Sequence, residues 1–194
     1  CYNFIVKIFM IIGSIKENLS LEKRVALMPE TAKNIISLGL KICIETNYAS
    51  HIGITDEEFV KVGVEIKKTN NEVLNNCNLL IKVNCPSDDE IKNLKQKSIL
   101  VGMLNPSQNK NKISELIKKN ISIFSLELLP RITRAQSMDV LSSQSNLAGY
   151  RAVVDSIYEF EKAIPMMMTA AGTVPAAKVL VIGAGVAGLQ AIAT

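Results

Sequence analysis

Two stretches of this sequence carry residue types and spacings that could do chemistry. In KVLVIGAGVAGLQAIAT, Lys178 to Thr194, the residues Gly183, Gly185 and Gly188 form G-x-G-x-x-G. The triplet follows an apolar run, KVLVI, and precedes the helix formers LQAIAT, the strand–turn–helix setting a dinucleotide-binding turn requires. Gly183 would permit the tight turn, Gly185 would let the backbone approach a pyrophosphate, and Gly188 would let helix and strand pack closely. The free N–H groups at the helix start would then face the phosphates. The second stretch is PRITRAQSMDVLSSQSNLAGYRAV, Pro130 to Val153. It places two arginines, a glutamine and an aspartate in a loop ahead of a helix. By residue type alone, Arg131 and Asp139 read as an ordinary surface ion pair.

In a dinucleotide-binding domain an acidic residue about 20 positions past the glycines meets the adenosine ribose. The sequence ends six residues after Gly188. The chain is therefore expected to be a fragment that binds NADH weakly or undetectably by itself.

The elements that must position these residues follow from pattern. MIIGSIKE reads as a buried strand, and PETAKNIISLGLKICIETN as a helix, a glycine stop at Gly39 and a second strand. TDEEFVKVG opens with Thr55 and has Glu58 three residues on, the capping-box pattern. NLLIKVNCP, SILVGML and ISIFSLELLP read as strands; SDDEIKNLK and KISELIKKN read as helices. Strands alternating with helices predict a parallel sheet covered on both faces. MDVLSSQSNLAGYRAVVDSIYEFEKAI reads as one long connecting helix, and PMMMTAAGTVPAA as a linker loop.

The expected architecture is α/β. A Rossmann-like or flavodoxin-like parallel-sheet domain spans 10–138, a linking helix and loop span 139–177, and a truncated Rossmann domain begins at 178–194. Residues 1–9 read as an upstream extension.

Composition excludes several classes. The 194 residues are 48% hydrophobic and 21% charged, a globular balance that argues against disorder. The net charge of +4 comes from scattered lysines, which read as solvated faces rather than a nucleic-acid footprint. Four cysteines at 1, 43, 77 and 85 show no CxxC pair, and His51 is the sole histidine, so no metal site is expected. Cys43, Cys77 and Cys85 read as small buried apolar groups, and His51 as solvated or capping. Glu127 ends an apolar strand and could accept a hydrogen bond from a loop backbone. No stretch approaches the roughly 18 apolar residues of a membrane span, so the chain is expected to be soluble by itself.

The segment from Pro130 to Val153 closely resembles the NAD(H)-binding subunits of proton-translocating NAD(P) transhydrogenases. So does PMMMTAAGTVPAAKVLVIGAGVAGLQAIAT. The earlier RVALMPETAKNIISLGL, Arg24 to Leu40, resembles the start shared by the alanine dehydrogenase/transhydrogenase family. The likeness covers residues 10–194 and is strongest after Pro130.

The resemblance implies a site. A loop holding Arg131, Ile132, Thr133, Arg134, Gln136, Ser137, Met138 and Asp139 would lie over the nicotinamide end of NAD(H). Arg131 and Asp139 would contact the carboxamide, with Ser142 also at the nicotinamide. Gln136 would reach toward NADP(H) on a separate partner domain. Arg131, Gln136 and Asp139 are thus the implied catalytic set. Gly183, Gly185, Val186 and Gly188 would hold the dinucleotide. The resemblance also implies a homodimer, an NADP(H)-binding β subunit and a membrane domain. Its location would be the cytoplasmic or matrix-like face of the inner membrane, peripheral through partner subunits.

Alanine dehydrogenases share this architecture, and chemistry separates the two activities. Oxidising an amine needs titratable groups at the substrate. In that family a lysine and a histidine at successive strand ends supply them. The corresponding positions here are Asn84, in IKVNCP, and Asn105, in ILVGMLNPS, and asparagine does not titrate at neutral pH. Arg24, the family's substrate-carboxylate ligand, remains and reads as structural. Hydride transfer between two nicotinamides needs only two rings held at about 3–3.5 Å. The expectation is therefore direct hydride transfer from NADH to NADP⁺ coupled to proton translocation. The rivals are an alanine dehydrogenase-like oxidoreductase and a non-catalytic NAD-binding assembly module.

Overall fold

Eleven elements alternate along the first two thirds of the chain, as the apolar runs between short amphipathic stretches require. In the computed structural model, which describes residues 10–194, they are β1 (Ile11–Ser14), α1 (Pro29–Ser37), β2 (Lys41–Glu45), α2 (Asp56–Lys61), β3 (Glu65–Lys67), α3 (Asn70–Asn76), β4 (Leu79–Asn84), α4 (Asp88–Asn93), β5 (Ile99–Met103), α5 (Lys110–Lys118) and β6 (Ser122–Ser125). The upstream extension read at residues 1–9 lies outside the described residues. The chain divides into two units, the first ending at Leu129 and the second spanning Pro130–Thr194.

Local chemistry sets the helix ends of the first unit. Pro29 starts α1 with its φ already helical, and Gly39 (φ +84°) turns the chain out of it. Thr55 and Glu58 close a capping box on α2, and Ser87 and Glu90 close another on α4.

The six strands form one parallel sheet in the order β3-β2-β1-β4-β5-β6. Alternation along the strands splits the core between its two faces. Ile42 and Ile44 of β2 pack with Ala32 of α1 and Phe59 of α2. Cys43, between them, packs with Val73 and Leu74 of α3, Ile91 of α4 and Leu116 of α5. The strand order reverses between β1 and β4, and in doubly wound sheets the crevice outside such a reversal is where ligands bind.

The second unit holds α6 (Val140–Glu159), β7 (Met167–Thr169), β8 (Gly172–Val174) and α7 (Val186–Ala193). A 3₁₀ stretch, Thr133–Met138, leads into α6.

Three expectations need correction. The linker loop PMMMTAAGTVPAA contains an antiparallel hairpin, β7 with β8. Thr169 Oγ1 donates to the Gly172 carbonyl at 2.9 Å and Gly172 takes φ +130°, which closes the turn. The run KVLVI forms no strand, because strand geometry requires a ladder partner and none of the described strands pairs with it. The linking helix stops at Glu159, short of Ile164 where the apolar run ends, and Pro165 follows.

Candidate functional site

The glycine turn has the geometry its spacing demands. Gly183 sits at φ +104°, a left-handed conformation that a side chain disfavours. Gly185 caps α7, and beyond its two chain neighbours no protein atom lies within 4 Å of where its Cβ would be. A Cβ on Gly188 would overlap the Gly183 carbonyl oxygen and stand 2.9 Å from its carbon. The turn is thus folded against its own helix, with the helix N-terminus open to an approaching anion. Val186, the first residue of α7, is exposed. These features fit the pyrophosphate of a dinucleotide: a backbone cradle, no side chain in the way, and N–H groups pointing outward.

The loop 131–139 belongs to the same unit. Ala135 is buried and anchors it; Arg131, Ile132, Thr133, Arg134, Gln136, Ser137 and Met138 are exposed. Asp139 caps α6, its Oδ1 accepting the Ser142 N–H at 3.0 Å and its Oδ2 the Ser142 hydroxyl at 2.7 Å. The Ser142 backbone hydrogen bond, then the hydroxyl, hold the Asp139 carboxyl below its usual range, and the Arg131 charge adds to this. The structure thus joins Asp139 to Ser142 directly.

A separate apolar hollow of about 430 Å³ lies in this unit, lined by residues such as Val153, Ile157, Phe160, Val179 and Val181. None of residues 131–142 lines it.

In the first unit the crevice at the β1/β4 reversal is filled by protein charges. Lys82, in β4, is buried, and its Nζ meets Glu90 Oε2 at 2.9 Å and Glu17 Oε2 at 3.6 Å. Glu17 accepts the Val83 N–H at 2.7 Å. Glu45 accepts the Lys16 N–H. Burial pushes both the Glu17 and the Glu45 carboxyls up. Two carboxylates, Glu17 and Glu90, thus meet one lysine there, and its charge is already paired.

Asn84 ends β4 and pairs with Met103 of β5. Asn105 follows β5 with φ +45°, and its N–H donates to Glu127. Glu127 also accepts from the Leu104 N–H at 3.3 Å and the Ser125 hydroxyl at 2.8 Å, so it clamps this turn as a loop-backbone acceptor. Arg24 forks onto Glu22, Nε to Oε1 at 2.8 Å and Nη2 to Oε2 at 2.6 Å. That hydrogen bond draws the Glu22 carboxyl below its usual value.

His51 Nε2–H donates to the Lys23 carbonyl at 2.8 Å. Burial pushes the Cys43 thiol up to about 11 and Cys77 to about 12, which keeps both as inert thiols.

One network was not foreseen from sequence. Ser14 Oγ donates to the Ile81 carbonyl at 2.8 Å, so the Tyr48 hydroxyl donates to Ser14 Oγ and accepts from the Ala26 and Leu27 N–H groups. It pins the Arg24 loop to the sheet. A lysine inside the apolar strand LLIKV was the available signal for the Lys82 cluster; Tyr48 gave none.

Comparison with known proteins decides the family. Residues 13–148 match the model of the alanine dehydrogenase/PNT N-terminal domain, and residues 152–194 that of the C-terminal domain. The chain belongs to the alanine dehydrogenase/PNT family. It is 46% identical over 190 residues to an NAD(P) transhydrogenase subunit alpha polypeptide of Rickettsia prowazekii, covering 95% of this chain and 49% of that protein. The crystal structure of transhydrogenase from Sinorhizobium meliloti superposes with a TM-score of 0.90 at 46% identity, over 94% of this chain and 55% of that one. An alanine dehydrogenase from Methanococcus maripaludis is more distant, 30% identical over 185 residues, covering 94% of this chain and 49% of that protein. The chain thus spans about half the length of the curated relatives it matches. Among the described residues, no helix is long and apolar enough to cross a membrane.

Proposed function

We propose that this chain is the NAD(H)-binding part of a proton-translocating NAD(P) transhydrogenase of the Si-specific/Re-specific type. The observation that carries the reading within the family is the pair of asparagines at the ends of β4 and β5. Amine oxidation needs a group there that titrates, and neither Asn84 nor Asn105 does. Lys82, two residues before Asn84, is held by Glu90 and Glu17 and cannot substitute. Arg24 already has Glu22 in its fork, so a substrate carboxylate would have to displace a bidentate partner.

NAD(H), when bound, supplies the hydride chemistry. The chain's own task is to hold and orient it. The α7 N-terminus, through Gly185 and Val186, presents N–H groups to the pyrophosphate, with Gly183 and Gly188 shaping the turn. Arg131, Asp139 and Ser142 orient the carboxamide. Ile132, Thr133, Arg134, Ser137 and Met138 complete the loop over the ring. Gln136, exposed on that loop, reaches toward NADP(H) on a partner domain and aligns the two rings. No proton need pass through the chain.

The relatives' names support a subunit role. We assign as partners a second copy of the chain, an NADP(H)-binding β subunit and a membrane domain. The chain would lie on the cytoplasmic or matrix-like face, peripheral to the membrane.

The test uses Gln136→Asn in the native protein. Hydride exchange falls at least about tenfold while NADH binding stays intact, because only the alignment of the rings is lost. Unchanged exchange would favour a non-catalytic assembly module, and alanine-dependent NAD⁺ reduction would favour a dehydrogenase.

A further inference from the structure

Glycine is a poor residue for a helix interior, and one placed there calls for a packing reason. Gly149 sits mid-way along α6 and is the buried residue of that helix. A Cβ built on it would overlap the Ala187 carbonyl oxygen and stand 2.9 Å from both the Ala187 Cα and carbonyl carbon. These are backbone atoms of α7, so no side-chain rotation relieves the contact. Three residues earlier on the same face, Asn146 Nδ2 donates to Gln190 Oε1 at 3.1 Å, again three residues along from Ala187. Two matched rows, Asn146/Gly149 and Ala187/Gln190, therefore set the two helices together.

We infer that Gly149 is a positioning residue for the bound nucleotide, fixing the separation between the loop at the head of α6 and the glycine turn at the head of α7. The inference rests on the reading of the second unit as an NAD(H) site. Ala187 is the second residue of α7, beside the Gly185 cap, so the contact lies at the phosphate end itself. Ser142, at the nicotinamide end, lies seven residues up α6, about 10 Å along the axis. A dinucleotide must touch both ends at once. A methyl group at position 149 drives α7 back by roughly 1 Å to restore ordinary van der Waals distance. Misplacement of that size is enough to break an oriented site. ADP-ribose, which lacks the nicotinamide, needs only the turn and is blind to the separation.

Amide NMR of the isotope-labelled native protein tests this, with NADH and ADP-ribose titrated separately while the Gly185, Val186 and Ser142 signals are followed. Gly149→Ala is expected to weaken NADH about tenfold or more and to leave ADP-ribose within about twofold. Asn146→Ala, which loosens the same helix pair without a wedge, weakens NADH roughly two- to threefold with ADP-ribose unchanged. It decides the matter if Gly149→Ala loses its α7 signals. Equal loss of both ligands, or no loss of NADH, overturns the inference and leaves the site reading standing. Wild-type turn signals that move with neither ligand overturn the site reading, and the inference with it.

Discussion

Asp139 and Ser142 are bound to each other at the head of α6, carboxylate to backbone N–H at 3.0 Å and carboxylate to hydroxyl at 2.7 Å. Two groups assigned to one end of the nucleotide are thereby already fixed in place. Asp139 serves as helix cap and proposed ligand together.

The cap makes the head of α6 sensitive to acid. The Asp139 carboxyl has a depressed pKa, so its contribution is complete above the ordinary carboxylate range and is lost as pH falls through the depressed value. Protection of the Ser142 and Ser143 amides against hydrogen exchange should fall several-fold on acidification through that range. In Asp139→Ala it should be low at every pH. Equal protection in wild type and variant would contradict the cap.

Gly188→Ala forces a methyl group into the Gly183 carbonyl. Overpacking of this kind costs about 1–3 kcal/mol, and it falls on the turn. Amides of α7 should lose protection while Leu80 and Leu100, buried in the first unit's sheet, keep theirs. Loss at all of these sites would show that the turn is not an independent feature of the second unit.

Phe59 is fully buried, and its ring meets Tyr48 edge-on, centroids 5.8 Å apart at 81°. Phe59→Ala should destabilise the first unit by about 3–5 kcal/mol in chemical denaturation followed by circular dichroism. A cost below about 1 kcal/mol, on the order of a surface change, would contradict the packing described.

Glu17 gives a pH signature of opposite sign to Asp139. Burial raises its pKa above the ordinary 4.5, so the folded state holds its proton more tightly and stability falls as pH rises from there through the raised value. Glu17→Gln lacks this titration. The melting temperature of the variant minus that of wild type should therefore rise between pH 4.5 and neutrality. A difference that falls with pH would mean the Lys82 pair outweighs the burial.

Much of the architecture was legible because local demands write themselves locally. The Thr55/Glu58 pattern marked a helix start that the structure closes as a capping box, and the helix read in SDDEIKNLK opens on a second box at Ser87 and Glu90. The glycine turn was legible because a left-handed residue and a close backbone approach both require glycine. KVLVI read as a strand because periodicity reports burial preference, whereas a strand needs a partner to pair with. The edge strand β3 is three residues long, two of them charged, and α3 is largely polar, so neither carried a strong pattern. The Lys82 cluster and the Tyr48 network depend on partners far apart in sequence: Glu17 and Val83 are separated by 66 residues. The role of Gly149 was hidden for the same reason, since Ala187 is on another helix.

In the proposed function the chain orients a nicotinamide for hydride transfer to a second nucleotide and oxidises no amine. The native protein, supplied with NADH and NADP⁺ in the presence of its NADP(H)-binding partner, should exchange hydride between them. Supplied with alanine and NAD⁺, it should form no NADH. Alanine-dependent NADH formation, or no exchange when both nucleotides and the partner are present, would contradict the account.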